Sequence, residues 1–128
     1  MSGVRRVGPT VADLLKLDAR IVWDCDVGKA LGHIGAHGGD VDLEAVRQAR
    51  GDAFTFANRR PRCTVPGCPG RVRFKDATSA YWKPLDTITD RDPAYWTWSE
   101  RRDSEMTSLG WTMVGGYWKP PVGNPLVR

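Results

Sequence analysis

The order of apolar and polar positions along this chain predicts several short elements of both kinds. Thr10, with Asp13 three residues on, reads as a helix start in near capping-box form, and Val11, Leu14, Leu15 and Leu17 supply that helix with an apolar side. Residues 20–24, Arg-Ile-Val-Trp-Asp, are β-branched and aromatic and form a strand leading into Cys25. Residues 26–40 contain Gly28, Gly32, Gly35, Gly38 and Gly39, which predicts irregular chain. Asp42 caps a second helix with Leu43, Val46 and Ala49 on one side and Gly51 at its end. Phe54–Phe56 and Arg71–Phe74 alternate as strands do, and 76–92 reads as loop broken by Lys83-Pro84. Asp92 and Pro93 occupy N-cap and N1 of a helix that runs to about Ser108, ahead of Gly110. Trp111–Val114 and Tyr117–Lys119 flank Gly115-Gly116 as a hairpin, and the proline-containing stretch from Pro120 onward is extended.

The expected fold class is therefore α+β. It combines a small zinc-ribbon-like half over residues 1–75 with an aromatic helix-plus-hairpin half over 76–128, the two packed as one domain with a boundary near 76–79. Five of the six tryptophans fall after residue 80, whereas all three cysteines come before it. Tyr-Trp pairs recur at 81–82, 95–96 and 117–118, but their unequal spacing excludes a solenoid or propeller.

A length of 128 residues suits one domain, and 41% hydrophobic with 27% charged residues excludes wholesale disorder, a coiled coil and a collagen-like fibre. No apolar run approaches the ~20 residues of a membrane helix, and the first nine residues lack the apolar core of a secretory signal. Three cysteines, an odd number, argue for a reducing compartment, and the expected location is cytoplasmic.

Charge adds a sharper feature. The net charge is +4, yet residues 58–75 alone hold Arg59, Arg60, Arg62, Arg71, Arg73 and Lys75 with no acid among them. Five of these six cations are arginine, whose planar fork suits phosphate and carboxylate. One expectation is that this segment tracks a phosphate backbone while exposed aromatics such as Trp82 stack on bases. The competing expectation is that the arginines pair with acids of the C-terminal half and that the aromatics form core.

The candidate chemistry centres on Cys63-Thr-Val-Pro-Gly-Cys68, a C-x4-C knuckle with a Pro-Gly turn, which offers two thiolates from one tight loop as tetrahedral zinc requires. Cys25 and the pair His33 and His37 supply the remaining ligands. Two sets remain open: all three cysteines with one histidine, preferred because it uses every cysteine, or Cys63 and Cys68 with both histidines. Four protein ligands close the coordination shell, so the zinc is expected to be structural.

The order Thr10–Leu15, Ile21–Cys25, Asp42–Val46 and Pro61–Cys68 resembles short zinc-ribbon-like proteins of GC-rich proteobacteria over roughly residues 10–75. The resemblance implies that a helix and strand lead to a first metal knuckle, and that an arginine-flanked second knuckle closes the site. This chain departs from that pattern after Cys25, where no second cysteine follows at short spacing, so His33 or His37 must stand in. The resemblance carries no activity with it.

Nothing in the sequence specifies an enzyme. There is no phosphate-binding G-x-x-x-x-G-K-[ST] loop and no G-x-G-x-x-G run, and the carboxylate pairs 24/26, 40/42 and 90/92 sit where caps and turns account for them. The expected function is a non-enzymatic, zinc-stabilised binding module that engages nucleic acid or a nucleic-acid-handling protein through the arginine-rich knuckle. The alternative is a small inhibitor or adaptor that blocks such a partner, of the type phages and mobile elements direct against host defence. Neither reading involves a membrane or a small-molecule substrate.

Overall fold

The computed structural model describes residues 8–30 and 37–124. Helix α1 (Val11–Lys16) leads into strand β1 (Ile21–Cys25), followed by α2 (Asp26–Ala30), β2 (Gly38–Asp40) and α3 (Leu43–Arg50). Strand β3 (Val72–Asp76), β4 (Lys83–Pro84), helix α4 (Pro93–Ser108) and the hairpin β5 (Thr112–Val114) and β6 (Tyr117–Lys119) complete the order. A four-stranded antiparallel sheet runs β2-β1-β3-β4, and β5-β6 form a separate two-stranded sheet. The class is α+β.

Local chemistry explains the starts and stops. Thr10 Oγ1 accepts from the Asp13 N–H at 3.1 Å while the Asp13 carboxylate accepts from the Thr10 N–H at 3.0 Å, so aspartate completes a reciprocal box that usually needs a longer acid. These bonds hold the Asp13 carboxyl below its ordinary pKa. Replacing Thr10 by alanine should cost about 1 kcal/mol of stability. Urea unfolding would register this as a lower midpoint, and an unchanged midpoint would show that the box contributes nothing. Asp42 caps α3 through the Ala45 N–H, and Gly51, at φ +92°, ends it.

Four expectations change. The glycine-rich stretch is partly regular, with α2 and β2 inside it. Gly39 pairs with Trp23 across β1 and β2, where an added Cβ would meet the indole at 3.4 Å, an ordinary van der Waals contact. Phe54–Phe56 is no strand, because its backbone serves α1 instead: the Val11 and Ala12 N–H groups donate to Phe54 O and Asp52 O, and Thr10 bridges Thr55. The expected loop at 76–92 contains β4, which extends the sheet beyond β3 across the expected 76–79 boundary. Asp92 occupies the α4 N-cap position but accepts from the Thr89 N–H, leaving the helix without a side-chain cap.

The apolar interior has two centres. One gathers Val11, Leu14, Ile21, Leu43 and Phe56 between α1, α3 and the sheet. The other holds Cys25, Val27, Cys63, Cys68 and Val72 together with Met106 and Trp111 from the C-terminal part of the chain. Phe74 packs against both. Helix α4 docks by a mostly polar stripe. Met106 is its sole fully buried residue, and Tyr95, Trp98, Arg102 and Glu105 are partly covered along the same side.

The remaining aromatics divide, with Trp23 and Trp118 packed against the second centre and Phe54 against the first. Tyr81, Trp82, Trp96 and Tyr117 are exposed, whereas Trp111 is 2% exposed and serves the interior.

Candidate metal centre

Strand register builds the centre. The Cys25 N–H donates to the His37 carbonyl at 3.0 Å, which places the end of β1 beside the residue preceding β2. On its other side Cys25 pairs with Val72 of β3. The chain entering β3 is a closed loop: Val72 N–H donates to Pro61 O, Cys63 N–H to Gly70 O and Cys68 N–H to Val65 O, with Gly67 at φ +79° in the turn. Cys63 and Cys68 are thus folded back onto the β1 end.

The result is a buried cluster of Cys25, His37, Cys63 and Cys68, whose ligand atoms all lie within 4.8 Å of one another. Cys25 Sγ is 3.5 Å from Cys68 Sγ, and Cys63 Sγ is 3.5 Å from His37 Nδ1. Tetrahedral zinc, with Zn–S near 2.3 Å and Zn–N near 2.0–2.1 Å, requires S···S of about 3.8 Å and S···N of about 3.6 Å. The four residues can therefore hold a metal ion such as zinc. Of the two ligand sets left open, this cluster is the one with three cysteines and one histidine. His33 lies outside the described residues.

Two further features fit an ion. The Gly28 N–H points at Cys25 Sγ at 3.5 Å and the Gly70 N–H at Cys68 Sγ at 3.4 Å, donors that favour thiolate over thiol. Both glycines are also sterically required. A Cβ on Gly70 would sit 2.2 Å from Cys25 Sγ, and one on Gly28 would sit 2.2 Å from the His37 Cβ.

The thiol pKa values show what a cation would relieve. The hydrogen bond from Cys68 leads in pulling Cys25 down to about 5, helped by the Gly28 and Val27 N–H groups and opposed by burial. Donating that bond pushes Cys68 up, and burial pushes Cys63 up. Three clustered, buried sulfurs do not all ionise on their own, but a dication would let them.

The expected partner-binding residues are mostly held by the chain itself. Arg60 pairs with Asp86 at 2.9 Å and lies over the Trp98 ring at 4.5 Å. Arg62 and Arg71 both grip Glu105 of α4, the latter at 2.8 Å. Lys75 pairs with Asp24 at 2.6 Å, and Arg59 covers Phe54 with its guanidinium 4.2 Å from the ring centroid. Trp82 is exposed with Arg20 over its ring. Arg73 stands apart, with no ion pair among the described residues and its Nε buried without an acceptor. The pairing expectation describes Arg60, Arg62 and Arg71, whose acids lie beyond residue 76.

The sequence reading missed Asp26, Asn58, Arg101, Arg102 and Glu105. Asp26 accepts from the Arg71 N–H and pairs with Arg102 at 3.1 Å. Asn58, in left-handed backbone at φ 62°, receives Thr87 and Ile88 N–H groups on its side-chain oxygen. An asparagine followed by an arginine pair was the only visible cue to that clasp. Fold and site together define a small α+β protein organised around a buried three-cysteine, one-histidine cluster. No protein-family model, curated protein or solved structure matches the chain.

Proposed function

We propose that this protein is a zinc-stabilised, non-enzymatic module that binds nucleic acid through the cationic surface around its knuckle. The observation that carries the reading is the buried Cys25, His37, Cys63 and Cys68 set. Four protein ligands leave no open position for a substrate or an activated water, so the ion's role is to fix the loop 61–72 on the sheet. That loop bears Arg62 and Arg71 and is flanked by Arg59, Arg60, Arg73 and Lys75. The ion pairs to Glu105 and Asp86 hold several of these arginines in fixed poses, and the acids that engage the segment are fewer than its cations.

The test is fluorescence anisotropy with labelled single- and double-stranded DNA and RNA across a salt series. Binding should weaken steeply with salt, and the doubly substituted R59Q/R62Q protein should bind more weakly to every sequence, with a salt slope shallower by about 1 for each phosphate that is no longer neutralised. Absence of binding to all four at low salt would sink the reading. A second reading has its own support: the β5–β6 hairpin exposes Met113, Val114 and Tyr117, an apolar group suited to a protein partner. An inhibitor or adaptor using that hairpin would hold its target at high salt and lose it on M113S/Y117S substitution.

A further inference from the structure

Where α4 crosses the base of the knuckle, a cleft of about 320 Å³ opens between Arg60, Arg71 and Arg73 on one side and Arg101, Arg102 and Trp98 on the other. We infer that this cleft is a binding site for a terminal phosphate group with a nucleobase beside it, carried either by a free nucleotide or by the end of a nucleic-acid strand.

Charge is the first argument. Five arginines line the cleft, and Asp26 is the sole acid in its wall among the described residues. Asp26 is committed, since one oxygen takes the Arg71 N–H and the other pairs with Arg102. Asp86 and Glu105, outside the lining, occupy Arg60 and Arg71. Arg73 and Arg101 have no ion pair among the described residues. Burial lowers the Arg60 pKa, and the neighbouring Arg73 charge lowers it further against the pull of Asp86.

Hydrogen bonding is the second. The Nε of Arg73 is buried without an acceptor among the described residues, and so is that of Arg60, whose Nη2 lies 2.9 Å from the equally unsatisfied Asp86 Oδ2. Buried donors without acceptors are rare because each is costly; with Asp86 beside Arg60, it is Arg73, in a cationic cleft and without an ion pair among the described residues, that calls for an anion there. A phosphate monoester offers three acceptor oxygens and up to two charges to converging forks, which a single carboxylate does not.

Shape supplies the base. Tyr95 and Trp98 stand in the wall, and Trp98 already carries Arg60 over one face. The volume lies at the small end of ligand pockets, room for one nucleotide-sized group and not for a duplex.

This inference shares Arg60 and Arg71 with the proposed function but does not require it. Titration calorimetry on the zinc-loaded protein at constant ionic strength should detect AMP and, more weakly, inorganic phosphate, but not adenosine. R73Q and R101Q should each weaken AMP by about tenfold to a hundredfold, the range for removing a charge-assisted hydrogen bond. R73Q should also leave the melting temperature unchanged or raised, since it removes an unpaired cation. Should R73Q fail to fold, R101Q decides the matter, because Arg101 is exposed on α4.

Single strands with a 5′-phosphate or a 5′-hydroxyl distinguish the sources. A phosphate-dependent gain identifies strand ends, and equal strand binding alongside AMP binding identifies free nucleotides. Failure of both AMP and phosphate to bind, or parental affinity in both variants, overturns the inference even if strands bind elsewhere on the knuckle. AMP binding without any strand binding would uphold it while removing the proposed function.

Discussion

Stripping zinc from this protein with a strong chelator will abolish its cooperative thermal transition, and the isolated protein will contain one zinc per chain. Apparent binding energies of structural zinc reach about 10–16 kcal/mol, comparable to or above the whole stability of a typical domain, about 5–15 kcal/mol. Here the ligands also form part of the interior, because Cys25, Cys63 and Cys68 pack in one cluster with Val72, Met106 and Trp111. Without the ion, that centre retains three thiols crowded around a buried imidazole. Cys63→Ser and His37→Ala should each lose the zinc and the sharp melt, and acid should release the ion as protons compete for its ligands. Elemental analysis and calorimetry check this together. A zinc-free protein with an unchanged melting temperature would refute the metal centre.

The second large effect is expected from the smallest substitution. Gly70→Ala should remove most of the bound zinc and destabilise the chain by several kcal/mol, roughly the upper end of what overpacking costs plus the metal's own contribution. The new methyl would overlap Cys25 Sγ and also press on Val27, whose Cβ would be 3.1 Å away. The matching control is Gly39→Ala, where the added carbon meets the Trp23 indole at 3.4 Å. That variant should keep its zinc and change stability by no more than about 1 kcal/mol. If Gly70→Ala and Gly39→Ala behave alike, the close approach of loop and sulfur is not real.

The cysteine–histidine cluster was legible to the extent that its chemistry is local. A C-x4-C pair on a Pro-Gly turn and a third cysteine at a strand end are visible without a structure, as are the Thr10 and Asp42 caps. The choice of histidine was not legible, because it depends on β1–β2 register: Cys25 meets whichever residue stands one step outside the Asp24–Gly38 pair, and that residue is His37. The regular structure in the glycine-rich stretch was hidden because dense glycine reads as turn, whereas Gly28 serves the close approach of His37, and Gly38 and Gly39 pair with β1. Helix α4 was readable in extent but not in placement. It docks through Met106, Glu105 and Arg102, and one apolar anchor among ion pairs leaves no hydrophobic period for a sequence to display. The cationic cleft was hidden for the same reason, since Arg101 and Arg102 meet Arg73 only in three dimensions.

The margins of the larger sheet limit how any partner can approach. Among the described residues its outer strands are two and three residues long, and one consists of Lys83 and Pro84, the latter without an N–H to offer. Such rims give an incoming peptide too few backbone groups to zip onto, so recognition by adding a strand is closed to this sheet and self-templated stacking is discouraged. Association through it must instead be written in side chains, which makes specificity tunable by point substitution without rebuilding the scaffold.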